Sequence, residues 1–265
     1  MKPADDRILP DELSSELGTR FIGRRLYSYE ALDSTNDTAW KLGAEGLPEG
    51  VCIFAEFQKK GRGRLGRSWT SPRGKNLLFS ILLRPRLSPN EVSKITLTTA
   101  VSVVKVIGRF TGKDCGIQWP NDVLFERKKV CGILTEMSTE SDRVKFVVVG
   151  IGVNVNAAGR ELPARATSIK EMTGKAVPRR VFAKKLLEQI ESDYLRLKKG
   201  LFHEIAREWE DYSVTSGRRV IATVFGRKIQ GQASGIDEDG ALWIRKDNGL
   251  QEKITSGDIE HLWAN

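Results

Sequence analysis

The sequence predicts an α/β domain that is followed by a small all-β domain. Up to about residue 217, apolar runs with strand spacing alternate with segments whose apolar residues recur at helical spacing. After Gly217 the pattern changes to short alternating runs separated by glycine-containing turns, which is typical of a small β-barrel. We therefore divide the chain into an N-terminal linker-like segment (1–25), a main domain (26–217) and a barrel (218–265).

In the first part of the main domain, apolar or alternating residues predict strands over 26–29, 51–57 and 76–84. Between the first two strands, residues 33–36 (Asp-Ser-Thr-Asn) offer several N-cap candidates for a helix that continues to Ala44.

The clearest helix begins at Ser88, where Ser-Pro-Asn-Glu forms a capping box with proline at the first helical position. Apolar residues then follow at helical spacing as far as Phe110. A second amphipathic helix is predicted over 181–199 and a third over 202–212.

Further strands are predicted over 116–125, 129–136 and 146–156. The first is interrupted by Trp-Pro-Asn-Asp at 119–122, which predicts a bulge or a turn because proline cannot donate a ladder hydrogen bond. Arg127-Lys128-Lys129 is the predicted hairpin turn before the next strand. The predicted strands of the barrel are 219–225, 228–236, 241–246 and 250–254.

The excess positive charge is concentrated in one loop. The chain carries a net charge of +9, and the residues between Phe57 and Asn90 include nine Lys or Arg but no Asp or Glu. A nucleic-acid binder usually spreads its basic residues over a wide face. Residues 61–67 (Gly-Arg-Gly-Arg-Leu-Gly-Arg) combine glycines that admit a ligand with arginines that suit phosphate or carboxylate. The loop therefore indicates capture of a small anion or an acidic partner.

Three known phosphate-binding motifs overlap this loop, and none fits its context. The dinucleotide fingerprint and the P-loop both require a helix directly after the loop. Residues 69–74 (Trp-Thr-Ser-Pro-Arg-Gly) do not suit the first turns of a helix, and another predicted strand follows them. A protein kinase would need HRD and DFG segments, which the sequence lacks.

Composition predicts an ordinary globular protein of the cytoplasm. The three cysteines show no CxxC spacing, and two histidines do not provide a zinc site of the usual pattern. The sequence shows neither an apolar run of membrane-spanning length nor the apolar region of a signal peptide. We expect neither a protein-bound metal nor a membrane association.

Five short motifs, taken together and in this order, resemble the biotin–protein ligases. They are Ser34-Thr35-Asn36, Gln58 with the loop 61–69, Trp119-Pro120-Asn121-Asp122, Lys129 with Gly132-Ile133-Leu134, and Gly150-x-Gly152-Val153-Asn154. The resemblance extends from about Leu26 to the C-terminus. It implies an α/β (α+β) fold, with a mixed-sheet catalytic domain followed by an SH3-like β-barrel.

The resemblance implies that biotin is first adenylated by MgATP to biotinyl-5'-AMP. A lysine of a biotin carboxyl carrier protein, such as the acetyl-CoA carboxylase subunit, then attacks this intermediate. Lys129 would bridge the carboxylate and the α-phosphate, and Arg64 and Asp122 would be further catalytic residues. Biotin would be bound by Ser34, Thr35, Asn36, Gln58, Arg62, Gly63, Arg64, Lys129, Gly132, Leu134 and Gly150. ATP would be bound by Arg64, Arg67, Trp69, Asn121, Lys129 and Asn154.

The sequence departs from the family in two places. The family usually has lysine immediately before Trp-Pro-Asn-Asp, where this chain has Gln118. Many relatives begin with a winged helix-turn-helix, whereas residues 1–25 resemble only the linker that would follow it, so we expect no sequence-specific DNA binding. A homodimer is left open. So are two alternatives: a lipoate or octanoate ligase on the same fold, and a nucleic-acid-binding module that uses the basic loop.

We also expect the basic loop to move. Residues 58–75 contain seven basic side chains, and Leu65 and Trp69 are their sizeable apolar anchors. Like charges repel, and few core contacts compensate for the entropy of ordering. Biotin and ATP should therefore order this loop over the site as a lid.

Overall fold

The computed structural model describes residues 6–262, and its larger domain is built on a seven-stranded mixed sheet. The strands are β1 (Leu26–Tyr29), β2 (Cys52–Ala55), β3 (Leu77–Leu83), β4 (Gly116–Gln118), β5 (Asp122–Phe125), β6 (Lys128–Glu140) and β7 (Arg143–Val153). Their order is β1-β2-β3-β7-β6-β5-β4. The β1–β2 pair is parallel and the other neighbours are antiparallel, so the predicted mixed sheet is confirmed.

The predicted helices are also present. The helices of the described residues are α1 (Pro10–Glu16), α2 (Thr35–Ala44), α3 (Ser93–Thr111), α4 (Ile169–Thr173), α5 (Arg179–Lys198) and α6 (Phe202–Tyr212). The four predicted helices correspond to α2, α3, α5 and α6, and the short helices α1 and α4 are additional. The capping box forms between Ser88 and Glu91 in a short 3-10 turn that precedes α3. Within residues 6–262, none of the helices is both long and apolar enough to cross a bilayer.

Alternate residues of the central strands pack on opposite faces of the sheet. Leu82 and Val148 join a small cluster with Ala39 of α2, whereas Ile81 and Val149 belong to the main core. That main core also contains the apolar faces of α3, α5 and α6. Helix α2 therefore lies on one face of the sheet and the three longer helices lie on the other.

The Trp-Pro-Asn-Asp segment forms the turn between β4 and β5. Of the two predicted possibilities, a bulge or a turn, the turn is therefore confirmed. Its Trp119–Pro120 peptide bond is cis. The Trp119 side chain is buried, and its indole N–H donates to the carbonyl oxygen of Gly240 at 3.2 Å. This contact joins the turn to the C-terminal domain.

The C-terminal domain is a five-stranded antiparallel sheet. Its strands are β8 (Arg219–Val224), β9 (Arg227–Ile236), β10 (Leu242–Arg245), β11 (Gln251–Ile254) and β12 (Asp258–His261), in the order β11-β10-β9-β8-β12. Four strands match the sequence prediction. The fifth, β12, was missed because its four residues, Asp-Ile-Glu-His, carry little apolar pattern. The closed SH3-like barrel remains a prediction.

The N-terminal segment packs against the main domain. Leu13, Leu17 and Ile22 are buried in the main core. Glu191 of α5 is also buried, and its carboxylate accepts hydrogen bonds from three successive backbone N–H groups, those of residues 20–22. Apolar burial and these bonds together fix the segment before β1. The domain boundary at residue 25 remains a prediction.

A buried ion pair connects α5 to the end of β2. Arg179 is only 2% exposed, and its guanidinium lies 2.7 Å from the Glu56 carboxylate, which is also buried. The same guanidinium pairs with Asp6 at 3.1 Å and donates to the carbonyl oxygen of Asn76 at 3.2 Å. Since Glu56 is buried, its charge depends on this arginine for compensation.

Replacing Arg179 with alanine should lower the free energy of unfolding by about 3–5 kcal/mol, because Glu56 would be left as an uncompensated buried charge. Urea unfolding followed by circular dichroism measures this loss. Arg180→Ala is the matched control, since its partially exposed side chain pairs with Glu12. The control should cost less than about 1 kcal/mol. An equally small loss for Arg179→Ala would contradict the prediction.

Candidate active site

A cleft opens on the α2 face of the sheet, between the basic loop (residues 58–75) and the C-terminal domain. With the exception of Asn154, all residues predicted to bind ligands or to take part in the reaction line this cleft. These residues are Ser34, Thr35, Asn36, Gln58, Arg62, Gly63, Arg64, Arg67, Trp69, Asn121, Asp122, Lys129, Gly132, Leu134 and Gly150. The fold thus gathers residues from five separated motifs into one place.

Glycines form the floor of the cleft. Gly132 of β6 and Gly152 of β7 pair directly, and a Cβ on Gly152 would lie 2.5 Å from Cε2 of Trp69. A Cβ on Gly150 would lie 2.1 Å from Oδ1 of Asn36. A side chain at either position would therefore displace Trp69 or Asn36. Glycine within a strand often marks a place where a ligand or another chain segment comes close, and Trp69 and Asn36 do so here.

Hydroxyl and amide groups form one end of the cleft. The backbone N–H and the Oγ1 hydroxyl of Thr35 donate to Oε1 of Gln58 at 2.7 and 3.0 Å. The buried Ser80 hydroxyl lies 2.8 Å from Oγ1 of Thr35 and 2.6 Å from Oδ1 of Asn36. Ser34 is the N-cap residue of α2, but its side chain makes no capping hydrogen bond. These contacts hold the polar groups in fixed orientations.

Lys129 lies at the other end of the glycine floor. Its ammonium is 2.7 Å from Oδ1 of Asp122 and 5.4 Å from the centre of the Trp69 ring. The lysine side chain is 32% exposed, so it is reachable from the cleft while remaining paired. A lysine beside a hairpin turn usually points into solvent. In this fold, Lys129 instead lies on the wall of the cleft.

Arg62 fixes the basic loop to the polar end of the cleft. Its guanidinium lies 2.7 Å from a carboxylate oxygen of Asp37 and 2.9 Å from one of Glu136. The same Glu136 oxygen accepts a hydrogen bond from the Asn36 side chain at 2.7 Å. One carboxylate thus connects the loop, α2 and β6.

Arg64 and Arg67 connect the loop to the C-terminal domain. Arg64 donates to the carbonyl oxygen of Gly257 at 3.0 Å, and Arg67 forms an ion pair with Asp258. Burial lowers the pKa of Arg64, while the nearby charges of Asp258 and Asp122 act in the opposite direction. An arginine remains cationic even so. This end of the cleft therefore presents two guanidinium groups beside the Lys129 ammonium.

Two family models match the chain. The biotin/lipoate A/B protein ligase family covers residues 28–154, and the biotin protein ligase C-terminal domain covers residues 215–262. The bifunctional ligase/repressor of Bacillus subtilis is 35% identical over 258 residues, which cover 96% of this chain and 79% of that protein. This chain belongs to the biotin protein ligase family. The predicted family and the predicted enzyme class, a ligase, are thereby confirmed.

Other members of the biotin protein ligase family agree over nearly the whole chain. The biotin–[acetyl-CoA-carboxylase] ligase of Mycobacterium tuberculosis is 30% identical, covering 98% of this chain and 96% of that protein. The solved Aquifex aeolicus biotin protein ligase in complex with biotin and ATP aligns with a TM-score of 0.76 and 33% identity. That alignment covers 91% of this chain and 100% of the other, which confirms the predicted fold class.

Several residues of this biotin protein ligase cleft were missed from the sequence. Ser80 supports the polar end from within β3, where it reads as an ordinary residue of a buried strand. Asp258 and Ile259 of β12 line the cleft from the C-terminal domain. No local signal marks these three, because their roles depend on contacts between segments that are distant in the sequence. Gly152 belongs to a named motif and Glu136 lies two residues after Leu134, so both could have been assigned to the site from the sequence.

Two further positions that the sequence analysis singled out are Asn154, which was expected to contact ATP, and Gln118, which stands where the family usually has lysine. Asn154 is 3% exposed and lies outside the cleft, where its side chain bonds to Asn76 and to the backbone of Lys129. This placement does not support the expected contact with ATP. Gln118, which replaces the usual lysine, lines the cleft and donates to the carbonyl oxygen of Ile259 at 3.5 Å.

The described part of the chain contains no cluster of three or more His, Cys, Asp or Glu side chains arranged to hold a metal ion.

The indole N–H of Trp69 is buried and finds no acceptor among the residues of the range 6–262. The cleft therefore holds a buried hydrogen-bond donor that is not used by any of the described residues.

Carboxylates outside the basic loop pair with its arginines, so we expect the loop to be less mobile without ligand than its sequence alone suggests. Removing the charge of Asp258 tests whether this ion pair restrains the loop. Asp258→Asn should speed trypsin cleavage after Arg64 and Arg67 by about twofold to fivefold, since an exposed ion pair contributes up to about 1 kcal/mol. Peptide mass spectrometry of timed digests of the free protein measures this rate.

Asp239→Asn is the matched control for this test, because Asp239 pairs with Lys253 within the C-terminal domain. The control should be cut at the wild-type rate. Equal loop cleavage in both variants would show that Asp258 does not restrain the loop.

Proposed function

We propose that this enzyme attaches biotin to a lysine of a biotin carboxyl carrier protein through biotinyl-5'-AMP. The observation that carries the proposal is the position of Lys129. Its ammonium pairs with Asp122 at one end of the glycine floor, in the same cleft as Arg64 and the polar end formed by Thr35 and Gln58. A carboxylic acid that binds along the floor would place its carboxylate beside Lys129. In this proposal the same ammonium also faces the α-phosphate of ATP.

The polar end suits the ureido ring of biotin. Such a ring carries N–H donors and a carbonyl acceptor, and each needs a partner when it is buried. Ser34, Thr35, Asn36 and Gln58 offer hydroxyl and amide groups of both kinds. Gly132 and Gly150 let Trp69, Lys129 and Asn36 come close to the sheet, and the apolar part of the ligand would lie over them beside Leu134.

The opposite end suits the phosphates of ATP. Arg64 and Arg67 present guanidinium groups that bind phosphate oxygens in a planar fork. Trp69 adds an aromatic surface and an unused indole donor. Asn121 and Asp122 supply oxygen atoms of the kind that Mg²⁺ prefers, so MgATP fits as the second substrate.

In the first step, a biotin carboxylate oxygen bonds to the α-phosphorus while the bond to the pyrophosphate oxygen breaks. Two anions approach each other here, so fixed positive charge between them lowers the barrier. Lys129 and Arg64 supply this charge. In the second step, the acceptor amine bonds to the biotinyl carbon, AMP leaves with the former carboxylate oxygen, and the amine loses a proton to solvent. Asp122 would orient the attacking amine.

The acceptor in this proposal is the carboxyl carrier protein of acetyl-CoA carboxylase, after the names of the relatives, and the site of action is the cytoplasm. A lipoate or octanoate ligase is the second candidate, because the matched catalytic-domain family includes lipoate ligases. Pyrophosphate exchange with biotin, lipoate and octanoate in parallel separates the two. The match to a biotin-ligase C-terminal domain favours biotin.

The proposed function predicts a mass increase on one lysine of a carrier domain that is incubated with the enzyme, biotin and MgATP. Intact-protein and peptide mass spectrometry measure this increase. Reactions without ATP, and with an acceptor whose lysine is replaced by arginine, are the controls. An unmodified acceptor in the complete reaction would refute the transfer step.

Lys129→Ala should slow adenylate formation by about 10²–10³-fold, because removing one preorganised cation from a developing charge costs about 3–4 kcal/mol. Biotin-dependent ATP–pyrophosphate exchange measures this rate. Lys128→Ala is the matched control, since Lys128 is exposed and does not line the cleft. Exchange by Lys129→Ala within threefold of the control would remove Lys129 from the mechanism.

A further inference from the structure

The strand that carries Lys129 contains a β-bulge. In the antiparallel pairing of β5 with β6, Val123 pairs with Cys131, but the next residue, Leu124, pairs with Lys129. Val130 is therefore an extra residue in β6. A bulge of this kind bends the strand and changes the direction in which the preceding side chain points.

The bulge decides on which face of the sheet Lys129 lies. In a regular strand, residues two apart share a face, so Lys129 would point with Cys131 and Ile133 into the main core. In the structure Val130 and Cys131 are both fully buried, and Lys129 lies on the cleft face with Gly132. A Cβ on Gly132 would lie 3.0 Å from the Lys129 ammonium nitrogen.

Asn154 bonds to two backbone carbonyl groups at the bulge. Its backbone N–H donates to the carbonyl oxygen of Val130 at 2.8 Å, and its side-chain amide donates to that of Lys129 at 3.4 Å. The N–H of Thr167 also donates to the Lys129 carbonyl oxygen, at 2.9 Å. The Lys129 N–H donates to the carbonyl oxygen of Arg165 at 2.9 Å.

A second buried asparagine holds Asn154 in place. The side-chain amide of Asn76 donates to Oδ1 of Asn154 at 3.0 Å. The side-chain oxygen of Asn76 accepts from the backbone N–H of Val155 and of Ala157, at 3.0 and 3.3 Å. Both asparagines are at most 3% exposed, so their hydrogen bonds are protected from water.

From this geometry we propose that Asn154 is a positioning residue for Lys129, and that Asn76 supports it. Asn154 secures the bulge that turns the Lys129 side chain out of the core and toward Asp122. The role rests on the proposed function, because it concerns the cation of that reaction. The contact with ATP that the resemblance implies for Asn154 stays a separate prediction.

The test compares Asn154→Ala with Asn156→Ala in the full chain. Asn156 is the control because its side chain, like that of Asn154, takes part in two hydrogen bonds, but both of these, at 2.9 and 2.8 Å, are with the backbone of Val177. We expect Asn154→Ala to lower kcat of pyrophosphate exchange by about 10–100-fold, as small misplacements of reacting groups do, with the KM for biotin changed less than about twofold. Asn156→Ala should retain the wild-type kcat.

A second readout does not depend on activity. The protein is treated with a water-soluble active ester that acetylates lysines. Peptide mass spectrometry then measures the acetylation rate of Lys129 relative to that of Lys175, which is exposed. In wild type the pairing with Asp122 should keep Lys129 slow to react, and in Asn154→Ala the rate should rise several-fold. If the alanine variant melts below the assay temperature, Asn154→Ser is used, since its side chain is too short to reach the Lys129 carbonyl oxygen.

Equal kcat and equal Lys129 acetylation in the Asn154 and Asn156 variants would overturn the proposal. A wild-type enzyme that fails to adenylate biotin would refute the proposed function instead. In that case the acetylation rates still decide whether Asn154 positions Lys129.

Discussion

The candidate active site depends on a stretch of sheet from which side chains are missing. On the cleft face of β6 and β7, Gly132, Gly150 and Gly152 leave a shallow channel. The indole of Trp69 and the amide of Asn36 approach the backbone where side chains would otherwise stand. The basic loop and the start of α2 can therefore reach the same surface from two sides. A larger residue in the channel would separate the two ends of the site.

The sequence predicted most of the fold and most of the cleft because their signals are local. Capping residues, glycine pairs and apolar periodicity identified the main helices and eleven of the twelve strands in the described residues, with Trp-Pro-Asn-Asp separating β4 from β5. The arginine-glycine loop was likewise visible from its composition alone. These features need no knowledge of distant contacts.

The remaining features are set by long-range pairing. The hydrogen-bond register between β5 and β6 determines where Lys129 points, and no single strand reveals its own register. Asp258 reaches the cleft because β12 pairs with β8 at the edge of the smaller sheet. The charge analysis counted repulsion within the basic loop but could not include Asp37, Glu136 and Asp258, which the fold brings to it.

The division of the cleft between two domains links catalysis to the stability of the smaller one. A domain of about 50 residues buries little surface by itself and is marginally stable. It is joined to the larger domain by Trp119, by Ser93 and by Glu210, which bond to Gly240, Asp239 and Ile236 respectively. If these contacts break on heating before the main sheet unfolds, the C-terminal domain separates from the larger one. Asp258 and Ile259 then no longer line the cleft. The temperature range of the enzyme is then set by its weakest domain contact.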